Sequence, residues 1–514
     1  EIAQCLVGSE MCIRDRSSGM AMAHWEIQGW MILILGWVFV PFYTRSMVYT
    51  MPEFLERRYN PQSRTILSVI SLVSYVLTKV AVTVYAGGLV FQQVFGIKEL
   101  WGIDFFWIAA IGLVVLTALY TIFGGMKSVL YTSVLQTPIL LLGSLIILVL
   151  GFKELGGWDE MMRVCGAVTV NDYGDTMTNL IRSNDDANFP WLGALIGSAI
   201  IGFWYWCTDQ FIVQRVLSGK NEMEARRGTI FGAYLKLLPV FLFLIPGMIA
   251  FALHQKYIGA GGEGFLPMLA NGTANADAAF PTLVAKLLPA GVKGLVVCGI
   301  LAALMSSLAS LFNSSAMLFT IDFYKRFRPE TPEKKLVGIG QVATVVIVIL
   351  GILWIPIMRS VGDVLYTYLQ DVQSVLAPGI AAAFLLGICW KRTSAQGGMW
   401  GLIAGMVIGL TRLGAKVYYS NAGEVADSTF KYLFYDMNWL FFCGWMFLFC
   451  IIVVIVVSLA TKAPTAEKIQ GLVFGTATKE QKAATRASWN HWDIIHTVII
   501  LAITGAVSYT HLTL

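Results

Sequence analysis

The chain has 514 residues and a formal net charge of +5; 57% of its residues are hydrophobic, 13% are charged, and the mean hydropathy is +0.70. Soluble domains carry about 25% charged residues, so this composition excludes an ordinary soluble protein, and the small positive charge is not a nucleic-acid signal. The apolar residues form blocks of about 20, the length that spans a bilayer as a helix. The blocks lack the apolar–polar alternation of outer-membrane barrel strands. The sequence therefore predicts an all-α, polytopic membrane protein.

The lengths of the apolar blocks predict about twelve transmembrane helices. In chain order these helices lie at roughly 19–44, 64–96, 101–123, 126–152, 189–219, 228–254, 281–321, 336–358, 362–389, 397–416, 438–460 and 491–508.

The loops between these helices differ in charge. Loops 45–63, 215–227 and 322–335 are rich in arginine and lysine, whereas loop 153–188 is rich in aspartate and glutamate. Basic loops of membrane proteins face the cytoplasm. We therefore expect the three basic loops inside the cell and loop 153–188 outside it.

Both ends of the chain differ from the rest. Residues 1–16 are too polar to span a membrane and too apolar for a solvated tail, and VSYTHLTL at 507–514 cuts the last helix short. Both strings resemble translated adapter sequence, so we expect a non-native leader at 1–16 and a non-native tail at 506–514. The eight cysteines are scattered, which predicts neither a disulfide framework nor a cysteine-based metal site.

Ionisable and amide side chains lie inside several predicted helices, where they are costly and by default mark function. In chain order they are Glu26, Lys79, Asp209, Lys236, Gln370 and Asp371, and aromatic residues accompany them at Trp25, Trp204, Tyr205, Trp206 and Tyr366. Carboxylates accept hydrogen bonds from sugar hydroxyls, lysine donates them, and glutamine does both. With aromatic rings that stack on a pyranose, this set is typical of a site for a polyhydroxylated ligand.

Structural explanations for the same residues stay open at this point. Glu26 and Lys236 can be expected to pair with each other if the bundle brings them together. Asp209 precedes Arg215 on its helix, which favours a structural pair with Arg215 or with a nearby backbone group. Lys79 lies in the middle of a span and therefore needs a buried partner that the sequence does not identify. The aromatic residues of WYWCTDQ (204–210) are also compatible with an interfacial belt.

A run of small polar residues, ALMSSLASLFNSSAMLF (303–319), interrupts another apolar block. Small residues let membrane helices pack closely, and a serine hydroxyl can bond the carbonyl one turn back, so packing is the plain explanation. A hard cation such as Na⁺ prefers oxygen ligands. The hydroxyls of Ser306 and Ser307 and the carbonyl of Ala303 offer such ligands, and a second, unwound helix would have to supply the others.

Several motifs, in order along the chain, resemble the sodium/glucose cotransporter branch of the sodium:solute symporter family. They are MPEFLERRYNPQ (51–62), YTIFGGMKSVLYTSVLQ (120–136), WYWCTDQFIVQRVLSGKN (204–221), YLKLLP (234–239), ALMSSLASLFNSSAMLFTIDFYK (303–325) and PGIAAAFLLGICWKRTSAQGG (378–398). The resemblance runs from about residue 17 to about residue 460.

The resemblance implies a five-plus-five inverted-repeat transporter core of the LeuT-like type with extra flanking helices. In that scheme the predicted helix 19–44 is the second core helix, and the first core helix is apparently missing. Residues 17–390 would then hold core helices 2–10, and residues 391–505 the C-terminal flanking transmembrane helices.

The resemblance also assigns roles to individual residues. Those expected to bind substrate are Glu26, Tyr205, Trp206, Lys236 and Gln370. Gate residues would be Trp25, Tyr205 and Tyr366, and the sodium ligands would be Ala303, Ser306 and Ser307.

Two positions depart from the family pattern. Ser133 stands where many relatives carry an acidic residue linked to sodium release or to a second sodium, which favours one sodium per cycle. Gly202 stands where bacterial relatives can carry a polar side chain in contact with sugar, so the identity of the substrate stays open.

The function implied is that of a sodium-coupled secondary active symporter, not an enzyme, in the plasma (inner) membrane. It would import a monosaccharide of the glucose or galactose type by alternating access, with a small neutral sugar, co-transported sodium and the lipid bilayer as its partners. The alternatives are import of myo-inositol, sialic acid or another polyol, and a sugar-binding membrane sensor. No His/Asp/Ser or metal-binding constellation in the sequence supports an enzyme.

Overall fold

A computed structural model describes residues 19–510 apart from 27, 269–271, 273, 362–364 and 422–425. Within its helices, the side chains at 25, 26, 122–129, 132, 135, 357–361, 365–368, 421 and 508–510 lie outside the described part. The structure is almost entirely helical, and a short antiparallel hairpin joins strands β1 (Glu99–Leu100) and β2 (Ile103–Asp104).

The α-helices are numbered here in chain order. The first half of the chain forms α1 (Ala23–Glu26), α2 (Gly29–Ile34), α3 (Val40–Ser46), α4 (Met51–Arg58), α5 (Pro61–Ser74), α6 (Ala81–Phe95), α7 (Phe105–Leu155), α8 (Trp158–Gly166), α9 (Trp191–Phe203), α10 (Gln210–Leu217), α11 (Glu222–Leu237) and α12 (Ile245–Gly259).

The second half forms α13 (Ala279–Leu287), α14 (Ala290–Met317), α15 (Lys325–Phe327), α16 (Glu333–Val361), α17 (Leu365–Cys389), α18 (Ala395–Asn421), α19 (Thr429–Lys431), α20 (Trp439–Ala460), α21 (Lys479–Ala487) and α22 (His491–Thr510). Short 3₁₀ turns lie at Gly19–Met22, Ala276–Ala278 and Ala466–Lys468.

Six π-helical segments continue or join these helices in the described part of the chain. They are Leu35–Phe39, Tyr75–Val80, Trp204–Thr208, Val240–Leu244, Leu318–Tyr324 and Tyr432–Asp436. A π turn widens the helix and is often found at functional sites. The segment at 75–80 contains Lys79, and the segment at 204–208 is followed directly by Asp209; the sequence places both residues inside the membrane.

Nine helices of the described residues are long and apolar enough to cross a membrane, or up to eleven if each of two bent pairs is one span. One bent pair joins Gly29–Ser46 to Met51–Arg58 at 74°, and the other joins α21 to α22 at 72°. The multi-pass character predicted from composition is therefore confirmed.

Two predicted helix boundaries were wrong. The predicted helix 19–44 is not continuous, because Gln28 lies in a turn just before α2, which begins at Gly29 without a side-chain cap. The break predicted between 123 and 126 is absent, since α7 runs from Phe105 to Leu155 as one helix. Neither position carries a proline, so the apolar pattern gave no reliable signal for or against a break.

The most buried span lies at the centre of the bundle and the least buried spans lie at its edge. In the most apolar stretch of Glu222–Gly259, 89% of the residues are buried, against 39% for Glu333–Pro356 and 33% for Trp439–Ala460. Side chains that remain exposed on α16 and α20 are mostly valine, leucine and isoleucine. An apolar outer face is stable in contact with lipid, because a helix satisfies its own backbone hydrogen bonds. We therefore expect these two helices to face lipid.

The three basic loops come together at one end of the bundle. The Thr50 hydroxyl donates to the Asp322 carboxylate at 3.0 Å, which joins loop 45–63 to the start of loop 322–335. Arg45 donates to the Thr485 hydroxyl at 2.5 Å, and Thr485 donates to the carboxylate of Glu222 at 3.4 Å, which joins loop 215–227 to the same end. The predicted grouping of basic loops is confirmed, and their position in the cytoplasm stays a prediction.

The acidic loop 153–188 lies at the opposite end. The amide of Met20 donates to the carbonyl of Met177 at 2.8 Å, and the His24 ring contacts the carbonyl of Leu180 at 3.0 Å. These contacts are at the start of the first span, whose other end carries Arg45. Charge is thus segregated along the bundle axis, as the sequence predicts.

Helices α17 and α18 cross at two glycines. A Cβ atom built on Gly405 would lie only 2.6 Å from the Cα of Gly379, so the two backbones touch. Small residues permit this approach between membrane helices. Farther along α18, Gly414 has no atom within 4 Å of its Cβ position.

We expect Gly405→Ala to destabilise the protein and Gly414→Ala to leave it unchanged or more stable. Overpacking costs about 1–3 kcal/mol, whereas alanine is favoured over glycine by about 1 kcal/mol inside an unobstructed helix. The measurement is the apparent unfolding temperature of each purified variant in detergent. Equal unfolding temperatures for the two variants would contradict the close crossing of α17 and α18.

Candidate functional site

A buried ion pair joins the π segment at 75–80 to the residue that follows the π segment at 204–208. The ammonium group of Lys79 contacts the carboxylate of Asp209, and only 4% and 2% of the two side chains is exposed. The Tyr75 hydroxyl donates to the same carboxylate at 2.5 Å, and the backbone N–H of Phe211 donates to it at 3.1 Å. Asp209 thereby also caps the start of α10. The carboxylate is satisfied on several sides, as a buried charge must be.

The structural role that the sequence favours for Asp209 is confirmed through its backbone alternative, because the carboxylate accepts from the N–H of Phe211. The guanidinium of Arg215 donates to the hydroxyl of Ser310 and lies 5.3 Å from the Phe211 ring centroid. The buried partner that Lys79 requires is therefore Asp209. The sequence did not identify Lys79 as the ionic partner of Asp209, because the two residues lie 130 positions apart in the chain.

Aromatic rings surround the Lys79 ammonium group. Its distances to the ring centroids are 4.5 Å for Phe211, 4.8 Å for Tyr205, 4.9 Å for Tyr75 and 5.8 Å for Trp204. Each distance is within the range of a cation–π attraction. The aromatic residues of WYWCTDQ are buried here, which contradicts the interfacial-belt alternative for them.

Three of the expected substrate residues come together beside this pair. Tyr205 and Trp206 pack edge to face with ring centroids 5.2 Å apart. The ammonium group of Lys236 lies 5.8 Å from the Trp206 ring centroid, and all three side chains are buried. Tyr205 thus lies between the structural pair of Lys79 and the neighbourhood of Lys236.

Gln370 lies on α17, which packs against the π segment at 204–208. The side chain is 2% exposed, and its amide oxygen has no hydrogen-bond partner in the described part of the chain. A buried acceptor left without a donor costs about 1–3 kcal/mol. The next residue, Asp371, instead pairs with Lys416 of α18 at 2.5 Å. The amide oxygen is therefore available for a donor from a ligand.

Gln28 is a buried polar residue beside Gly202 that the sequence analysis missed. Its amide nitrogen donates to the carbonyl of Ser198 at 3.0 Å, and its amide oxygen lies 2.7 Å from the position of a Cβ on Gly202. The Gln28 side chain therefore fills the space that a side chain at position 202 would need. Only a contact between two distant helices reveals this relation, although the unusual glycine at 202 was a signal in the sequence.

The serines of α14 divide into two groups. Ser310 and Ser314 bond the carbonyls of Ser306 and Ser310 one turn back, at 3.0 and 2.8 Å. Gln214 of α10 also donates to the Ser310 carbonyl and to the Ser314 hydroxyl, at 3.2 and 2.5 Å. These hydroxyls serve helix packing, which is the plain explanation offered by the sequence.

The pair that the resemblance links to sodium behaves differently. The Ser306 hydroxyl reaches across to the Ser133 hydroxyl of α7 at 2.5 Å, and no described residue forms a side-chain hydrogen bond with Ser307. Both hydroxyls are largely buried, and Ala303 lies one turn before them on the same helix. The geometry leaves oxygen atoms of α14 available to a cation.

Three expected site residues lie outside this description. The side chains of Trp25, Glu26 and Tyr366 are not among the described ones. Their roles as gate and substrate residues, and a pair between Glu26 and Lys236, therefore stay predictions.

Breaking the pair of Lys79 and Asp209 should destabilise the fold more than breaking the pair of Lys416 and Asp371. The side chains of Lys416 and Asp371 are 25% and 18% exposed, so a charge that loses its partner there remains partly hydrated. Removing one partner of a buried pair costs about 3–5 kcal/mol. We expect Lys79→Met and Asp209→Asn each to lower the apparent unfolding temperature strongly. Lys79→Met combined with Asp209→Asn should recover part of the loss, because neither charge is then left buried without its partner.

The matched cycle uses Lys416→Met, Asp371→Asn and the corresponding double variant. The cycle gives the coupling free energy between the two side chains of each pair. A value that is equal in the two pairs, or larger for Lys416 and Asp371, would contradict the assignment of Lys79 and Asp209 as the structural centre of the site.

Comparisons with known proteins bear on family and fold. The sequence profile of the sodium:solute symporter family matches residues 11–405. Sodium/myo-inositol cotransporter 2 of Homo sapiens is 35% identical over 473 residues, covering 90% of this chain and 69% of the relative. Sodium/glucose cotransporter 4 of Danio rerio is 34% identical over 491 residues, covering 92% of this chain and 73% of the relative.

Among solved structures, a Na⁺-coupled sialic acid symporter in a substrate-bound outward-open state superposes with a TM-score of 0.66 at 19% identity. The superposition covers 90% of this chain and 88% of the other chain. This likeness shows the fold, which is the LeuT-like transporter fold. The fold class predicted from the sequence is confirmed.

Proposed function

The chain belongs to the sodium:solute symporter family, and on that premise we propose that it imports a small neutral monosaccharide of the glucose or galactose type together with sodium. Its family and its relatives identify the protein as a sodium-coupled solute symporter of the sodium/glucose cotransporter branch. It is a multi-pass membrane transporter and not an enzyme. We place it in the plasma (inner) membrane with its basic end towards the cytoplasm.

The observation that carries the choice of a neutral polyol is the free acceptor oxygen of Gln370, on a helix that packs against the buried aromatic segment at 204–208. Lys236 donates hydrogen bonds, Gln370 accepts one from a hydroxyl, and the rings of Tyr205 and Trp206 offer apolar faces. A polyhydroxylated ring has hydroxyls for the polar groups and an apolar face for the aromatic ones. Glu26 completes the proposed site as an acceptor.

Sodium is proposed to bind at the hydroxyls of Ser306 and Ser307 and the carbonyl of Ala303. The sodium-bound protein then favours the outward-facing state, in which the sugar binds near the middle of the membrane. One part of the bundle rocks against the other and both ligands leave on the inside. Because coupling is a difference in affinity between two states, sodium must tighten sugar binding by the same factor as sugar tightens sodium binding.

One sodium ion per cycle is the proposed stoichiometry. Ser133 has a neutral hydroxyl that bonds Ser306, so it brings no charge for a second ion. One charge crossing 100 mV yields about 2.3 kcal/mol, and a tenfold sodium gradient adds about 1.4 kcal/mol. Together they support roughly 500-fold accumulation of sugar, so one ion suffices for scavenging.

The second candidate keeps the mechanism and changes the cargo to myo-inositol or another polyol. The contact of Gln28 with Gly202 favours it, because an amide occupies the position where a substrate-contacting side chain is expected. The relatives of this chain include a sodium/myo-inositol cotransporter as well as a sodium/glucose cotransporter. A sugar-binding sensor is distinguished by sodium current without sugar accumulation.

We expect purified protein in proteoliposomes to accumulate radiolabelled glucose or galactose when sodium, but not choline, is outside. Ser307→Ala should abolish most of this uptake, because it removes a proposed sodium ligand. Ser310→Ala is the matched control: the same hydroxyl is lost one turn away, where it bonds the helix and Arg215. Uptake by Ser310→Ala should remain within a few-fold of the unsubstituted protein.

Accumulation of myo-inositol in place of both sugars would support the second candidate. Uptake that is indifferent to sodium, or that falls equally in Ser307→Ala and Ser310→Ala, would contradict the proposed sodium site.

A further inference from the structure

A cavity of about 520 Å³ lies on the outside of the bundle between α5, the π segment at 318–324 and the first turns of α16. Its walls are almost wholly apolar and include Leu72, Phe319, Val342 and Val346, with Lys335 at one end. This volume is within the range of about 300–1,000 Å³ that is typical of ligand pockets. We call this feature the α16 groove.

The α16 groove opens towards lipid and not towards water. The span Glu333–Pro356 is mostly exposed in the isolated chain, and its exposed side chains include Val342, Val345 and Val346. Gly338 also lines the groove, and no atom lies within 4 Å of its Cβ position, which leaves the groove open between two turns of the helix. An apolar chain from the surrounding bilayer therefore has direct access.

The end of the groove is positively charged. Lys334 and Lys335 lie in the first turn of α16 and Lys325 lies in α15; all three are exposed, and no described acidic residue forms an ion pair with them. The acidic residues nearby in the chain are Glu330 in the preceding loop and Glu333, the first residue of α16. Arg326 is tethered, since it donates to the carbonyl of Pro61 at 3.1 Å.

The position of the two lysines is not explained by helix stability. The N-terminus of a helix carries a partial positive charge, so lysine in the first turn is unfavourable and an anion is favourable. α16 has 29 residues; Lys335 in its first turn lines the apolar groove, and Lys334 is its neighbour in the chain. Glu333 is in the same turn and does not pair with either lysine, so a further anionic group at this place would neutralise them.

We propose that the α16 groove binds an anionic phospholipid from the leaflet at the basic end of the bundle. One acyl chain lies along Leu72, Phe319, Val342 and Val346, and the phosphate lies against Lys334 and Lys335. Inorganic phosphate has no apolar group to contact the walls of the groove, and a lipid without net charge does not neutralise the lysines. Basic residues at a membrane surface each contribute measurably to the attraction of anionic lipid.

The lipid would stabilise the contact of α16 with the end of the helix that carries the serines. The π segment at 318–324 continues α14, and its Asp322 accepts hydrogen bonds from Thr50 and Ser68 and pairs with Arg64. The groove lies on the lipid side of this network. The proposal concerns lipid binding and does not depend on the identity of the transported solute.

The test measures the binding of phosphatidylglycerol to the full chain in neutral phosphatidylcholine nanodiscs by native mass spectrometry. Lys334→Gln combined with Lys335→Gln should weaken binding about 30-fold, from the usual contribution of a basic residue near an anionic surface. Val342→Trp, which fills the groove without changing charge, should weaken it several-fold. Lys220→Gln combined with Arg328→Gln is the control, because it removes the same charge from the same end outside the groove.

Three results would overturn the proposal. Equal losses in the control and in the lysine variant would show a general surface charge effect. Unchanged binding in Val342→Trp would show that the acyl chain does not occupy the groove. Displacement of the lipid by inorganic phosphate alone would show a phosphate site and not a phospholipid site. Retained binding of phosphatidylcholine by the lysine variant, with loss of phosphatidylglycerol, is the expected outcome.

Discussion

The ion pair between Lys79 and Asp209 is the interaction on which the geometry of the site depends. Two charges buried among hydrophobic helices are tolerable only when each satisfies the other and further hydrogen bonds complete the arrangement. Here the Tyr75 hydroxyl and the Phe211 amide complete it. Because Asp209 also caps α10, the pair fixes where the π segment at 204–208 ends. Tyr205 and Trp206, which belong to that segment, are held in place by the same contacts.

Polar groups in this bundle divide into those used for structure and those left for ligands. Lys79, Asp209, Ser310 and Ser314 bond protein groups and anchor helices to one another. The Gln370 amide oxygen and the Ser307 hydroxyl do not bond the described protein. A buried acceptor without a donor is costly, and this cost is the reason for proposing the Gln370 amide oxygen as a partner of a sugar hydroxyl; the Ser307 hydroxyl is proposed as a sodium ligand.

Composition and block length sufficed to predict a multi-pass helical protein, and the motifs sufficed to predict its family and fold. Helix interruptions were harder to predict, because the turn at Gln28 and the continuity of α7 depend on tertiary packing. The buried partner of Lys79 was not predictable for the same reason: Asp209 is close in space and 130 residues away in the chain. Gln28 was missed because only its contact with Gly202 distinguishes it, whereas the grouping of Tyr205, Trp206 and Lys236 followed from the family motifs.

Sodium and a neutral sugar or polyol are proposed to bind to the same state of the protein and to favour each other's binding. The most direct test is equilibrium binding of radiolabelled sugar to the purified protein at low and at high sodium, with sodium affinity measured in the presence and absence of the same sugar. We predict that sodium tightens sugar binding and that sugar tightens sodium binding by an equal factor, because linkage requires it. Sugar affinity that is the same at both sodium concentrations would contradict the coupling and, with it, the account of the site.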